Sequence, residues 1–225
     1  MFDRITFDWD WEYAFQILPQ LLEATIVTVQ ATFVGFALSL VIGLLFALGR
    51  RAPLKLISWP VTAVIEFIRS TPLLVQLYFL FFILPRWGLS LSPFLAGVIG
   101  LGLHYGTYLS EVYRAGIDSV PKGQWEAARA LNFSTIKTWR NIVLPQAIPP
   151  MIPAFGNYFI VMFKETPLLS AITVVELLQT AKIIGARSFR YVEPVTLVGL
   201  IFLLLSYPAA IAVRRLENRF VKQRA

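Results

Sequence analysis

The sequence contains no cysteine and a single histidine, His104. Disulfides, thiolate nucleophiles and cysteine-ligated zinc or iron–sulfur sites are therefore excluded, as is a metal site built from several histidines. Charged residues are also scarce, at 15% against roughly 25% in soluble proteins. Hydrophobic residues reach 57%, and the mean hydropathy is +0.67. So much apolar surface in a chain of 225 residues predicts a membrane protein rather than a soluble enzyme.

Five apolar stretches are long enough to cross a hydrocarbon core of about 30 Å, which requires roughly 20 helical residues each. They cover approximately residues 25–48, 57–84, 93–113, 142–163 and 195–213. The second stretch contains two prolines and the charges Glu66 and Arg69. We expect a single all-α membrane domain over residues 1–225, with five transmembrane helices. The aromatic residues between Trp9 and Phe15 predict a short separate helix at the membrane interface.

Basic residues are distributed unevenly between the two ends of these spans. Arg69 lies within a span, and of the 20 lysines and arginines, 13 fall on one side of the predicted membrane and six on the other. Because basic loops stay in the cytoplasm, we expect the N-terminus outside and the C-terminus inside, with the first span as an uncleaved anchor. The basic tail, Arg214–Arg224, is expected to contact anionic lipid. Loop charge of this kind accounts for the net charge of +7, so no nucleic-acid partner is expected.

The segment 116–145, between the third and fourth spans, is too polar to cross a membrane and too regularly patterned to be unstructured. Gln124–Leu131 is rich in helix-forming residues, and Asn132 can adopt the left-handed conformation that ends a helix. Ser134 is expected to cap a second helix that ends near Pro145. A helical hairpin of this kind either docks into a groove of a partner or covers the inner face of the bundle. These residues alone leave both roles open.

The hairpin also carries a recognisable pattern, Glu126-Ala127-Ala128, then Asn132, then Ile142-Val-Leu144-Pro145. It resembles the EAA loop of ATP-binding-cassette (ABC) importer permeases. Asn132 stands where that family has glycine, and asparagine tolerates a positive φ better than most residues. The stretches 66–76 and 164–172 are similar to the polar amino-acid importer subfamily. Within it, residues 102–105, 128–133 and 177–185 are most similar to ectoine and hydroxyectoine permeases. The resemblance implies a type I ABC importer permease fold, in the multi-pass inner membrane of a bacterium.

The resemblance further implies partners. The chain has no Gly-x4-Gly-Lys-Ser/Thr phosphate loop, so ATP would be hydrolysed by separate ABC ATPase subunits, and no cofactor or metal is expected in the chain itself. A second permease subunit, identical or related, and a periplasmic solute-binding protein would complete the assembly. The implied ATPase-docking residues are Gln124, Trp125, Glu126, Ala127, Ala128, Leu131 and Asn132. Trp125, Ala127, Ala128 and Leu131 would pack into the ATPase, and Glu126 would contact a basic group.

Several polar residues lie within or beside the apolar spans. Burial of an ionisable group in a membrane costs free energy, so such a residue is expected to have a functional or structural role. The candidates for a translocation path or substrate contact are Glu66, Arg69, Gln76, His104, Asn157, Lys164 and Glu165. Glu66 and Arg69 are one helical turn apart, so a structural ion pair is the alternative role. Lys164 and Glu165 precede Thr166-Pro167, where we expect the helix to break before a gate helix that continues to Gly185. Glu111 and Arg114 are expected to form a structural pair.

We therefore expect a permease subunit that imports a small polar amino acid or a zwitterionic solute such as ectoine or hydroxyectoine by alternating access. Import of glutamate, glutamine, arginine or histidine is the alternative. A passive channel and an intramembrane hydrolase that uses Ser110 with His104 are more remote alternatives. The small-residue face Gly102-x-x-x-Gly106 predicts close helix packing, either within the subunit or at a dimer interface.

Overall fold

The structure, a computed structural model, describes residues 9–222, with side chains up to Asn218. Residues 9–222 contain no β-strand, so the predicted all-α class is confirmed for this range. The helices are α1 (Trp11–Arg50), α2 (Lys55–Arg69), α3 (Leu73–Tyr78), α4 (Pro93–Asp118), α5 (Lys122–Ala130), α6 (Thr135–Thr138), α7 (Leu144–Glu165), α8 (Leu177–Ser188) and α9 (Val192–Lys222). π-helical turns cover Phe79–Ile83 and Trp139–Val143, and 3-10 turns cover Leu84–Trp87 and Thr166–Ile172. The basic side chains predicted to contact lipid beyond Asn218 lie outside the described residues.

Helices α1 and α4 run parallel and form the centre of the bundle. Leu38 and Ile42 of α1 meet Gly102 and Gly106 of α4 in the same order along both helices. A Cβ atom at Gly102 would lie 2.6 Å from Cδ2 of Leu38, and one at Gly106 would lie 2.7 Å from Cγ2 of Ile42. Only glycine permits this approach, so the small-residue face packs within the subunit. Below, the end of the bundle that contains Arg50 and α5 is called the loop end, and the other is called the far end.

The predicted second span is not one straight helix. α2 and the segment Leu73–Trp87 meet at an angle of 105°. α2 lies at the loop end, because Cγ2 of Val61, in its middle, would lie 3.1 Å from a Cβ at Gly49 and Arg69, its last residue, lies 3.3 Å from Glu111. The predicted span over 57–84, which the sequence already showed as interrupted, is therefore bent sharply at Pro72. Pro72, which cannot donate a backbone hydrogen bond, marks the bend, and only the part after it runs antiparallel to α4.

Two helices of the described part, α1 and α9, are each long and apolar enough to cross a membrane. Two bent pairs, Lys55–Arg69 with Leu73–Trp87 and Thr135–Ile172 with Leu177–Ser188, could each provide one more, which gives at most four by length and composition. Helix α4 does not meet this measure, although its 26 residues extend about 39 Å. α4 is largely enclosed by other helices, which explains why its sequence can be more polar than that of a lipid-exposed helix.

At the far end, α8 packs between the beginnings of α1 and α9. Ile17 and Leu21 of α1, Ala181 and Ile184 of α8, and Ile201 of α9 belong to one buried cluster. The predicted separate interfacial helix does not exist, because the residues from Trp11 onward are the first turns of α1. The Tyr13 N–H donates to Asp10 Oδ1 at 3.0 Å, which caps α1 and lowers the pKa of the Asp10 carboxyl.

Helix α7 is joined to α6 without a break in the helical path. The prediction that the second hairpin helix ends near Pro145 was wrong, because the π-helical turn Trp139–Val143 precedes Pro145 and leads directly into α7. A π turn shifts the hydrogen-bond pattern by one residue, which accommodates the missing N–H of a proline. As predicted, α7 does end at Glu165, where the 3-10 turn Thr166–Ile172 begins.

Candidate translocation surface and coupling hairpin

Four ring side chains form a cluster between α4 and α7. His104, Tyr105 and Tyr108 lie on α4, and Tyr158 lies on α7. Ring centroids are 5.2 Å apart for His104 and Tyr108, 5.8 Å for Tyr108 and Tyr158, and 6.4 Å for Tyr105 and Tyr158. The spacings 104, 105 and 108 place all three rings near one side of α4, because residues three and four apart share a helix face. We call these four residues the aromatic cluster.

Opposite charges lie at the two ends of the aromatic cluster. At the far end, Tyr105 Oη donates to Glu165 Oε2 at 2.7 Å. Towards the loop end, the Arg69 guanidinium carbon lies 5.3 Å from the ring centroid of Tyr108. From the far end to the loop end, the surface therefore presents a carboxylate, a patch of aromatic faces and a guanidinium, in that order.

The structure brings together three of the predicted pathway residues, Arg69, His104 and Glu165. Sequence reasoning missed Tyr108 and Tyr158 as members of the same surface. A usable signal was present, because tyrosine hydroxyls in mid-span need polar partners that lipid cannot supply.

The other pathway candidates lie elsewhere. Gln76 Nε2 donates to the carbonyl oxygens of Ile68 and Thr71, at 2.7 and 3.1 Å, so its amide satisfies the backbone at the bend before Pro72. Asn157 and Lys164 are exposed on α7, outside the ring contacts described above. These three side chains are not part of the aromatic cluster.

Glu66 belongs to an ion network at the loop end that joins α1, α2 and α4. Glu66 lies 3.8 Å from Arg69 and 3.7 Å from Arg50, and Glu111 contacts Arg50, Arg69 and Arg114. The members are Arg50, Arg51, Glu66, Arg69, Glu111, Arg114 and Asp118, and the predicted Glu111–Arg114 pair is confirmed at 2.8 Å. The network favours the structural role of Glu66, while Arg69 takes part in both the network and the aromatic cluster.

The geometry gives no support to a Ser–His nucleophile. Ser110 is buried and its Oγ donates to the Thr107 carbonyl oxygen at 2.6 Å. Within the described residues, Nδ1 of His104 has no hydrogen-bond partner, and its ring packs against Tyr105 and Tyr108 instead. The two side chains therefore lack the contact that activation of a serine requires.

The hairpin has the predicted turn. Asn132 adopts φ 52°, the left-handed region, which confirms the expectation for this position. The Phe133 N–H donates to the Ala128 carbonyl at 3.0 Å and the Asn132 N–H to the Arg129 carbonyl at 2.9 Å, so the end of α5 is satisfied. Ser134 Oγ accepts from the Lys137 N–H at 3.4 Å and caps α6 as predicted.

Two of the predicted docking residues point into the protein rather than away from it. Ala128 is fully buried, and Trp125 packs edge to face on Trp139, with centroids 5.3 Å apart, beside the buried Val143. These contacts hold one face of α5 against the bundle, which supports the covering role for that face and leaves the opposite face exposed. The outward face contains Gln124, Glu126, Ala127, Leu131 and Asn132, and exposes Leu131 at 68%. Ile136, which sequence reasoning missed, is 78% exposed beside them.

Residues 13–222 match the protein family described as "Binding-protein-dependent transport system inner membrane component". The chain belongs to this family. The probable amino-acid ABC transporter permease protein y4tG of Sinorhizobium fredii is 44% identical over 211 residues, which cover 94% of this chain and 91% of that protein. The L-cystine transport system permease protein TcyB of Bacillus subtilis is 38% identical over 200 residues, 87% of this chain and 86% of that protein.

A solved structure of an amino acid ABC transporter contains a chain with the same fold as this permease. A chain from a crystal structure of an amino acid ABC transporter with histidines has a TM-score of 0.88 and 34% identity, over 94% of this chain and 99% of that chain. The permease therefore has the type I ABC importer fold. Its relatives are transporter permeases and not enzymes, so the expectation that ATP is hydrolysed by a separate subunit is confirmed.

Proposed function

We propose that this permease carries a small zwitterionic solute, either a polar amino acid or a compatible solute such as ectoine or hydroxyectoine, into a bacterial cell by alternating access. Relatives named for amino acids and L-cystine support a polar amino-acid substrate. The ectoine hypothesis rests on the sequence resemblance at residues 102–105, 128–133 and 177–185. Glutamate, glutamine, arginine or histidine remains the alternative substrate.

The observation that carries the proposal is the order of groups along the aromatic cluster. Glu165 can attract an ammonium group, and the faces of Tyr105, Tyr108 and Tyr158 attract cations through their ring quadrupoles. Arg69 can bind a carboxylate through two parallel hydrogen bonds. A zwitterion fits this order because both of its charges find an opposite charge while its apolar part lies on the rings.

The role of Arg69 can be separated from its place in the ion network by a matched pair of variants. Arg69→Gln removes the charge beside Tyr108, whereas Arg114→Gln removes a network charge that has no ring contact. With the permease and its ATPase reconstituted in liposomes, we expect Arg69→Gln to raise KM for uptake by roughly tenfold or more, because the charge-assisted contact with the carboxylate is lost. Arg114→Gln should change KM by less than about twofold.

If the Arg69→Gln permease assembles normally and takes up solute as the wild type does, the role of Arg69 is purely structural. The same liposomes identify the substrate, through uptake of radiolabelled ectoine, glutamine, glutamate, arginine and histidine in parallel. Uptake that proceeds without nucleotide would favour a passive channel instead.

We also propose that the outward face of the hairpin, Glu126, Ala127, Leu131 and the adjacent Ile136, docks on the ATPase subunit. Two exposed apolar side chains beside a carboxylate suit a groove with an apolar floor and a basic rim. This assignment replaces Trp125 and Ala128, whose side chains pack within the chain.

Charge introduced on that face tests the docking proposal. Leu131→Asp and Glu126→Lys should each abolish most co-purification with the ATPase and uncouple ATP hydrolysis from uptake, while membrane insertion stays normal. Arg86→Glu, an exposed charge reversal at the far end, is the control. Unchanged ATP-driven uptake by both hairpin variants would contradict the proposal.

The topology proposed for this permease has five crossings, formed by α1, the segment after Pro72, α4, α7 and α9. The parallel course of α1 and α4 supports α4 as a crossing helix. The N-terminus is then outside and the loop end faces the cytoplasm, in the bacterial inner membrane with lipid around it. The proposed partners are two ABC ATPases, a second permease subunit in a homo- or heterodimer, and a periplasmic solute-binding protein.

A further inference from the structure

A groove at the far end, between α1 and α8, has the composition of a second ligand site. Its volume is about 350 Å³, within the range of small-molecule pockets. Glu23 and Gln20 of α1 lie on one side, and Arg187 and Thr180 of α8 lie on the other. This groove is distinct from the aromatic cluster, which lies between α4 and α7.

The groove contains one acidic and one basic side chain. Glu23 and Arg187 are both exposed, and neither lies within an ion-pair distance of an opposite charge in residues 9–218. Arg190, three residues beyond Arg187 at the same end, is by contrast paired with Asp10 and Glu193. The groove therefore presents one carboxylate and one guanidinium, neither of which is held in an ion pair within residues 9–218.

Thr180 supplies a further polar group. The residue is only 4% exposed, and yet it lines the groove. A threonine hydroxyl can both donate and accept a hydrogen bond, so it can bind a polar group of a ligand.

The walls of the groove are fixed in position. The Leu177 N–H donates to Thr28 Oγ1 at 3.1 Å, which ties the start of α8 to α1. Leu21 and Ala181, which follow the groove residues Gln20 and Thr180 in the chain, are fully buried in one cluster. The separation of Glu23 and Arg187 is therefore set by packed helices rather than by loops, as a binding site requires.

We infer that this groove binds the free zwitterionic solute at the outer mouth of the permease, with the ammonium at Glu23, the carboxylate at Arg187 and a polar side group at Gln20 or Thr180. Val27 and Ile183 provide the apolar floor. The assignment rests on the proposed function for the direction of movement, and it adds a site that the solute occupies before it reaches the aromatic cluster.

The absence of native cysteine allows a site-specific test. Val175 lines the groove and is 54% exposed, so Val175→Cys places one thiol at the site, and Ala186→Cys places one on an exposed face of α8 outside it. Maleimide labelling is followed on the full permease–ATPase complex in lipid nanodiscs, with L-glutamine as the probe. L-Glutamine should slow labelling of Val175→Cys and leave Ala186→Cys unchanged. Butylamine and butyrate, each with one charge, should protect poorly.

Adding Glu23→Gln or Arg187→Gln to Val175→Cys should raise the L-glutamine concentration for half-protection by about tenfold, because each removes one charge-assisted contact. Glu12→Gln and Arg86→Gln, which change exposed charges outside the groove, should leave it unaltered. Lack of protection, equal protection of Ala186→Cys, or indifference to both groove substitutions would overturn the inference.

A second background distinguishes this site from the aromatic cluster. Protection of Val175→Cys should persist when Arg69→Gln and Glu165→Gln are present together. If Val175→Cys alone, with Arg69 and Glu165 intact, is protected but shows no uptake, the groove is retained and the proposed function is rejected. If Glu23→Gln and Arg187→Gln take up solute with normal KM and L-glutamine does not protect Val175→Cys, the proposed function is retained and the groove is rejected as a binding site.

Discussion

Glu176 shows how a single buried carboxylate can define the start of a helix. Its side chain is fully buried, and its two oxygens accept from the N–H groups of Leu178 and Gln179, at 3.0 and 2.7 Å. Burial raises the pKa of the Glu176 carboxyl, while these two hydrogen bonds oppose the rise. The cap positions α8, and with it one wall of the groove.

A raised pKa makes the stability of this cap depend on pH in a defined direction. Between the ordinary and the raised pKa, the folded protein binds more protons at Glu176 than the unfolded chain, so the free energy of unfolding falls as pH rises through this window. Glu176→Gln keeps an accepting oxygen without the charge. We expect the variant to match wild type below the ordinary pKa and to unfold at a higher temperature at neutral pH.

Thermal unfolding of the detergent-purified protein, measured for both proteins from pH 4 to 8, checks this expectation. A wild-type advantage that grows with pH would show that the ionised carboxylate is the better cap.

At single positions, turn chemistry was easier to predict than the direction of a side chain. Asn132 was expected to take the left-handed conformation from its residue type alone, and it does. The inward direction of Ala128 was missed, because a motif assigns a role to a helix but does not state which face rests on the bundle. That face is decided by contacts with the π-helical turn Trp139–Val143, on the other side of the hairpin.

At the scale of elements, the contact between α1 and α4 depends on glycine. Gly43 and Gly106 lie opposite each other, and a Cβ at Gly43 would lie 3.0 Å from the Gly106 carbonyl oxygen. The sequence predicted a small-residue face but left its partner open. Only the three-dimensional structure identifies α1 as the helix that packs on this face.

Gly106→Leu should separate the two helices. The new side chain would have to displace Ile42, and overpacking of this kind costs about 1–3 kcal/mol of the free energy of unfolding. Gly199→Leu is the matched control, since nothing lies within 4 Å of a Cβ at that position. Chemical denaturation of both variants in mixed micelles gives the comparison, and equal midpoints would contradict the assigned packing.

Bends were harder to predict than helices. Pro72 was seen as an interruption, but the 105° angle that results from it was not, because composition does not encode the direction of a bend. Pro145 was expected to end the helix, but the π-helical turn before it accommodates the missing backbone hydrogen bond and the helix continues. Both errors concern prolines whose effect depends on neighbouring helices.

At the scale of the whole molecule, the ion network joins helices that are distant in the chain. Glu111 of α4 is its most enclosed carboxylate and contacts Arg50 of α1, Arg69 of α2 and Arg114 of α4. Removal of this carboxylate would leave three guanidinium groups close together without their common partner.

Glu111→Gln should therefore lower the free energy of unfolding by about 1–3 kcal/mol, between the value of an exposed pair and that of a buried one. The loss should shrink when Arg114→Gln is added, because the repulsion is relieved. Glu217→Gln, an exposed change on α9, serves as the control in the same denaturation series. Equal loss in the single and double variants would argue against a shared network.

The global assembly of the candidate site could be predicted only in part. Hydropathy and motif spacing indicated the all-α class, and three of the predicted pathway residues, Arg69, His104 and Glu165, do lie together in the structure. The meeting of α4 with α7, which completes the aromatic cluster with Tyr158, depends on the antiparallel course of two helices separated by the hairpin. No local pattern contains that information.

The 40 residues of α1 form one continuous helix, about 60 Å long. Arg50 at one tip is clamped to α2 and α4, and Glu23 lies roughly 40 Å away along the same axis. Between Glu23 and Arg50 this helix contains no proline at which it could bend. In the topology proposed above, a tilt of α1 at its charged tip would therefore also move Glu23 at the opposite end of the bundle.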